Sequence, residues 1–448
     1  MCGYPLFILL IGGGIFLFGY SGFVSLRRLP EAIRALRQGR SGSGEGISSA
    51  QALVSVVAAT VGMGNIAGVA IAIAMGGPGA IFWMWVSAIV GMSTKYHEGV
   101  LAIKFRHRSA DSTPAGGPMH IIERGLGPKW RPMAVCFAVA GMFGTLCIMN
   151  ANQLTEALAS SLSDAGIASR SLALHLTIGI LIAATVAAVV LGGIRRIASV
   201  ATYLVPFMVG AYFLMVAYII ITNFSQLPAA VSAIFTEAFS LRAGWGALAG
   251  VAIIGARRAA LVNDAGVGTA SIMHSTSAND SPVREGLVAM LGPAIDSGLV
   301  CTLTAFAILL GGDLYPEGTQ GLGIALNAFN NSIPLGGYLL TAIVTCFALS
   351  SMFTYSFYGS SCAAYLFGQR GRKLYTWGFI LSLVLFAVVP LTAAVALCDL
   401  FYALMAFPTM TTLIMLRRTV RHETDTYFSD KTVNNTNAYA DTTGTPCA

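Results

Sequence analysis

Two short clusters carry residue types that could do chemistry. One reads Ala59-Thr60-Val61-Gly62-Met63-Gly64-Asn65-Ile66-Ala67-Gly68, the other Val262-Asn263-Asp264-Ala265-Gly266-Val267-Gly268-Thr269. Each lies in an apolar run and sets glycines beside polar side chains. Glycine costs a helix interior about 1 kcal/mol relative to alanine and lets the backbone open. An opened helix offers N–H groups where one half begins, which suit a carboxylate. It offers carbonyls where the other half ends, which suit a dehydrated cation such as Na⁺. Asp264 is costly at membrane depth and is therefore a candidate functional carboxylate, with capping of the break as its plainer role. For either cluster alone, close packing of helices through small residues is an equal alternative.

Other ionisable groups are less specific. Asp296 and Asp399 fall in apolar runs and suit either an ion path or a satisfied contact between helices. Lys95 and Glu98 read as a local ion pair at a membrane interface. His97, His120 and His274 share no metal-ligand spacing, and His274 reads as a packing residue. Arg257 and Arg258 precede the second cluster, where an outer vestibule or lipid phosphate suits them better than substrate. The eight cysteines form no Cys-x-x-Cys and mostly sit in apolar runs, where they act as small hydrophobes. No nucleophile-and-base constellation, phosphate loop or nucleotide fold is present, so neither catalysis nor ATP-driven pumping has support.

The elements around these residues are set by composition. Of 448 residues, 56% are hydrophobic and only 10% charged, against about 25% charged in a soluble domain. Such a chain cannot keep a water-facing surface. Apolar stretches long enough to cross a bilayer run over 4–24, 48–76, 79–103, 133–160, 171–193, 198–222, 245–278, 284–310, 334–357, 374–390 and 393–416. The reading is an all-α integral membrane protein of about eleven spans. Arg27 and Arg28 follow the first run instead of preceding it, so that run is a retained helix, not a signal peptide. Residues 422–448 are polar and aperiodic, which predicts a disordered tail.

Alternating loops divide the lysines and arginines very unequally. Twenty-one fall on one side, against Arg170 and Arg242 on the other, with Lys95, Arg257 and Arg258 in or beside spans. The basic side is cytoplasmic, so the amino terminus is expected outside and the carboxyl terminus inside. The net charge of +7 is thus topogenic, and a nucleic-acid partner is not expected. The two glycine clusters lie five spans apart. An odd offset inverts one relative to the other, and paired broken helices in two inverted halves point to a transporter binding site.

Longer motifs carry a family resemblance. Gly76-Gly77-Pro78-Gly79-Ala80-Ile81-Phe82-Trp83-Met84-Trp85-Val86 resembles the signature of the sodium:alanine (alanine or glycine:cation) symporter family. So do residues 62–70, GGPMHIIERGLG at 116–127, GGIRRIA at 192–198, VPFM at 205–208, NDAGVGTASIMH at 263–274 and PVREGLVAMLG at 282–292. The resemblance runs from about residue 25 to residue 415. It implies a leucine-transporter-like five-helix inverted repeat, with repeats at 48–222 and 245–416 after an extra helix at 4–24. It also implies Na⁺-coupled uptake of a small neutral amino acid.

On that resemblance the amino acid sits around Gly62, Gly64 and Asn65 and around Asn263, Asp264 and Gly266. Asn150, Asn152 and Tyr355 match further substrate positions. A Na⁺ site is implied at the carbonyls of Ala59 and Gly62 with the hydroxyls of Ser350 and Ser351. Four positions depart from the family pattern. Asp264 replaces a usual Glu, Leu261-Val262 a bulky Phe-Ser, Asn150-Ala151-Asn152 a Gln-Ala-Asn, and Tyr355 a Trp. No cofactor beyond the coupling ion, no enzyme activity and no obligate protein partner are expected. The expected setting is a bacterial-type inner membrane and its lipids. Alternatives are another amino-acid substrate such as glutamine, a channel, or a polytopic enzyme acting on lipid-like substrates.

Overall fold

A computed structural model describes residues 6, 8–37, 47–108, 114–239, 245–311 and 321–429. These residues are mainly helical, with a two-residue antiparallel ladder, His107–Arg108 with Pro114–Ala115, and a bridge from Ile47 to Ser277. In chain order the main helices are α1 (Ile8–Tyr20), α2 (Leu29–Arg37), α3 (Ser49–Thr60), α4 (Gly64–Gly76) and α5 (Gly79–Lys104). Next come α6 (Arg131–Gly144), α7 (Ile148–Asp164), α8 (Leu172–Val190), α9 (Gly193–Thr222) and α10 (Leu227–Ala238). The last are α11 (Trp245–Asn263), α12 (Thr269–His274), α13 (Pro282–Leu310), α14 (Leu322–Ser332), α15 (Gly336–Phe386) and α16 (Leu391–Met415).

Every apolar stretch read from the sequence contains helix. Among the described residues six helices are long and apolar enough to cross a membrane, or seven if α3 and α4, bent by 57°, form one span. The runs expected at 334–357 and 374–390 are joined in α15, which kinks at Gly368, a glycine at φ 68°. The amphipathic α10 and α14 lie outside the eleven stretches, since a half-polar helix escapes a hydropathy count.

The start of α3 shows how local sequence sets an element. Ser48 Oγ accepts the Gln51 N–H at 3.1 Å, and Gln51 returns its side-chain oxygen to the Ser48 N–H at 3.0 Å. This reciprocal cap satisfies two N–H groups that a helix start leaves unpaired. At the other end of the chain, the tail expected to be disordered from 422 is helical through Ser429. Tertiary contacts explain this correction: Tyr96 Oη lies 2.7 Å from Thr424 Oγ1, and Lys104 Nζ donates to Glu423 at 2.6 Å. Residues 430–448 lie outside the described residues.

The helices pack in two groups. In one, α5 lies against α11, α12 and α13, with α4 against α11; in the other, α6, α7 and α8 pack on α15 and α16. The α3 helix leans on α9 and α15, so the first break faces the seam between the groups.

Candidate substrate and ion site

The α3 helix stops at Thr60 and the chain resumes as helix at Gly64. Asn65 stabilises this gap from within: its Oδ1 accepts the Gly62 N–H at 2.9 Å, and its own N–H reaches the Gly62 carbonyl at 3.2 Å. The Asn65 amide then donates to the Asp296 carboxylate on α13. The second break, between α11 and α12, has three residues in the left-handed region: Asp264 at φ 51°, Gly266 at φ 88° and Gly268 at φ 97°. Asn263 Oδ1 accepts the Ala265 N–H at 3.0 Å, and the Glu98 carboxylate on α5 accepts the Gly266 N–H at 2.7 Å. Peptide groups at membrane depth have no water to turn to, so each break takes partners from nearby side chains.

A cavity of about 230 Å³ lies between the breaks. Ala59, Gly62, Met63 and Gly64 form one wall, with Val262 and Asp264 opposite; Asn150, Gln153, Tyr355 and Tyr402 close it from the second group. The Asp264 carboxylate accepts the Tyr355 hydroxyl and, at 3.4 Å, that of Thr269. Tyr355 Oη in turn lies 2.8 Å from Tyr402 Oη. One carboxylate oriented by a tyrosine pair, in a pocket with few other charges, is suited to an ammonium group.

Beside this cavity two hydroxyls converge on one carbonyl. Ser350 Oγ lies 3.0 Å and Ser351 Oγ 3.2 Å from the Ala58 oxygen, and each also bonds the Phe347 carbonyl, at 2.9 and 3.1 Å. Ser351 Oγ stands 2.9 Å from the point a Gly62 Cβ would occupy. These neutral oxygens suit a hard monovalent cation such as Na⁺, which would be carried as cargo.

Gly62, Gly64, Asn150, Asp264, Tyr355, Ala59 and Ser351 all border the cavity, while Ser350 sits behind it on the Ala58 carbonyl. The converging carbonyl is thus that of Ala58, one residue before Ala59. Asn65, Asn263 and Gly266 stand elsewhere: the Asn65 side chain, Asn263 Oδ1 and the Gly266 N–H are engaged in the breaks themselves, while Asn263 Nδ2 has no hydrogen bond among the described residues. A Cβ on Gly266 would meet Met410 Sδ at 2.5 Å, so this glycine answers to packing. Asn152 donates to the Val389 carbonyl at 2.5 Å and faces a larger cavity of about 1230 Å³. That cavity shares Ile71, Gln153 and Arg258 with the first, so Arg258 borders both. The side chains of Arg257 and Asp399 lie outside the described residues.

Two expectations need correction, and of the two readings of Asp296 the contact between helices is the one observed. Lys95 and Glu98 are not an interfacial pair: both are buried, Glu98 serves the second break, and Lys95 Nζ has no hydrogen bond among the described residues. They stand about 9–14 Å along α5 from its end at 1.5 Å per residue, enclosed by other helices instead of facing solvent. His274 does more than pack, because its Nδ1 lies 2.7 Å from the buried Glu285 carboxylate, which also accepts from Ser49 at 2.7 Å. Asp296 is bound to the first break through Asn65. Tyr402 and Gln153 were missed, since neither stands near a local polar pattern in sequence.

Comparison with known proteins agrees with this architecture. A sequence model of the sodium:alanine symporter family matches residues 1–441. The sodium/alanine symporter AgcS of Methanococcus maripaludis is 39% identical over 428 residues, covering 94% of this chain and 93% of that one. An uncharacterized transporter of Haemophilus influenzae is 36% identical, covering 96% and 95%. A probable sodium/glutamine symporter, GlnT of Bacillus subtilis, is 32% identical, covering 93% and 86%. Among solved structures, MhsT in complex with L-phenylalanine aligns at TM-score 0.59 and 16% identity, covering 85% of this chain and 89% of MhsT. A Na⁺-coupled sialic acid symporter aligns at TM-score 0.57 and 15% identity, covering 92% and 87%. The fold is therefore leucine-transporter-like.

Proposed function

The chain belongs to the sodium:alanine symporter family, Na⁺-coupled secondary transporters and not enzymes, and we propose that it imports alanine or glycine with Na⁺ by alternating access. The observation that carries this reading is the small cavity of about 230 Å³ between the two breaks, with a single carboxylate in its wall. Pockets for drug-sized ligands run from about 300 to 1,000 Å³, so this one favours a small zwitterion. Asp264, backed by Tyr355 and Tyr402, receives the ammonium. The half-helix that begins at Gly64 turns its positive end toward the carboxylate. Na⁺ binds where Ser350, Ser351 and the Ala58 carbonyl converge, linking α15 to the first break.

The amino terminus lies outside and the carboxyl terminus inside a bacterial-type inner membrane, as the lysine and arginine bias requires. Cysteines replacing Arg195 and Arg170 should react only from the cytoplasm and only from outside, respectively; reversed labelling rejects this orientation. Glutamine is a second reading, favoured by the likeness to a probable sodium/glutamine symporter.

Uptake of labelled alanine into proteoliposomes tests the assignment. An inward Na⁺ gradient should drive accumulation, unlabelled alanine and glycine should compete, and glutamine should not. Equal competition by glutamine defeats the small-substrate reading, and equilibration without accumulation indicates a channel.

A further inference from the structure

A second cavity, remote from the transport site, is left without a role by this function. On the basic side, a polar cleft of about 980 Å³ opens where α1 and α16 end, against Tyr96 and His97 of α5; Tyr20, Arg27, Arg28, Arg421, Asp425 and Phe428 are among its walls. Its frame is fixed by tertiary contacts. The Arg28 guanidinium lies 3.8 Å from the centre of the Phe428 ring and donates to Glu31 at 3.0 Å, while Tyr96 holds Thr424 at 2.7 Å. Arg27 folds back over Gly22, with Nη1 3.8 Å from the point a Cβ of that residue would occupy. Arg421 lies over Tyr20 at 5.6 Å, with Asp425 3.8 Å away and 71% exposed.

Charge and level identify the ligand. Of three guanidiniums, Arg28 is paired with Glu31 and Arg421 makes an exposed pair with Asp425, so the group keeps a net positive charge carried by Arg27. Arginine recognises phosphate through two parallel N–H bonds. Tyr20, Arg27, Arg28 and Arg421 lie at or just beyond the ends of α1 and α16, the level at which basic pockets between helices take anionic lipid heads. Phe16, Phe23 and Leu26, all about half exposed, provide apolar surface on α1 and the turn after it. Arg417 stacks over Phe16 at 5.6 Å, which joins that surface to the basic rim.

We propose that this cleft binds the phosphate of an anionic phospholipid head group between Arg27 and Arg421, with acyl chains running along the apolar face of α1. Bound there, the lipid ties the first helix to the helix after α16. The proposal depends on the orientation given above only for naming the inner leaflet, and its test does not use transport.

The full-length protein would be reconstituted in phosphatidylcholine nanodiscs with and without phosphatidylglycerol. Lipid retention would then be read by native mass spectrometry beside the melting temperature. Wild type should retain phosphatidylglycerol selectively. Arg27→Gln with Arg421→Gln should lower that selectivity by roughly thirtyfold, the effect of removing two juxtamembrane cations. Arg195→Gln with Arg196→Gln, equal in charge but outside the cleft, should keep it. Asp425→Asn releases Arg421 from its exposed carboxylate partner and should raise retention, which keeps the test open should the double variant not fold. Unchanged retention in the cleft variants, or equal loss in the control pair, overturns the proposal. So does a thermal shift with inorganic phosphate that matches the one with phosphatidylglycerol, since the site would then hold a free anion.

Discussion

The two broken helices look alike in sequence and differ in construction. At the first, glycines lie along the cavity wall, and one side chain, Asn65, closes the turn from within. At the second, three left-handed residues make a longer detour, and its glycines point into packed protein while Asp264 alone reaches the cavity. The lesson is that a glycine cluster marks an opening in the backbone but not what the opening serves. The first break lines the cavity proposed for the substrate. The second delivers one charge to it and depends on its neighbours, Glu98 above all, to stay open.

This contrast can be tested directly. The largest effect is expected from Gly266→Val. Positive φ costs a β-branched residue about 1–2 kcal/mol, and the new Cβ would stand 2.5 Å from Met410 Sδ and 2.8 Å from Leu10 Cδ2. Overpacking adds about 1–3 kcal/mol. Yield of folded protein and melting temperature should both fall sharply. A stable variant that has lost only substrate binding would make the two breaks equivalent after all.

Next comes Asp264→Asn, which keeps the shape of the side chain and removes its charge. A hydrogen bond to a charged group contributes about 1.5–3 kcal/mol, so alanine affinity measured by calorimetry should fall tenfold or more in a protein that still folds. Unchanged affinity would move the ammonium elsewhere. Ser350→Ala with Ser351→Ala should raise the Na⁺ concentration for half-maximal uptake severalfold, at about 0.5–1.5 kcal/mol per neutral hydrogen bond. The same Na⁺ dependence in the double variant would remove these hydroxyls from the ion site.

The smallest effect is expected from Gly64→Ala. Its Cβ would meet Val262 Cγ2 at 3.3 Å, a contact that a small side-chain shift relieves. The protein should melt near the wild-type temperature and bind alanine a few-fold more weakly, with Val262→Ala restoring affinity. Should Gly64→Ala instead destabilise the fold as Gly266→Val does, the first break would be a packing device too.

The sequence by itself determined that the chain is helical and membrane-embedded, because charge is too scarce for any other surface and the apolar runs are long. It located both breaks, since two such glycine clusters recur five spans apart, an offset that inverts one relative to the other. It also singled out Asp264, whose desolvation needs a reason. What the tertiary structure decided was which polar groups remain available. Asn65, Asn263 and Gly266 carry the same local signature as Gly64 and Asp264, yet the Asn65 amide, Asn263 Oδ1 and the Gly266 N–H are engaged by Asp296, Ala265 and Glu98. Two of these partners lie on other helices, more than 160 residues away in the chain. Tyr402 reached the site in the same way, through a packing angle that no local pattern records. Periodicity reports which face of a helix is apolar. Burial without water is a property of the assembled bundle, and there a buried peptide group must find a partner wherever the fold supplies one.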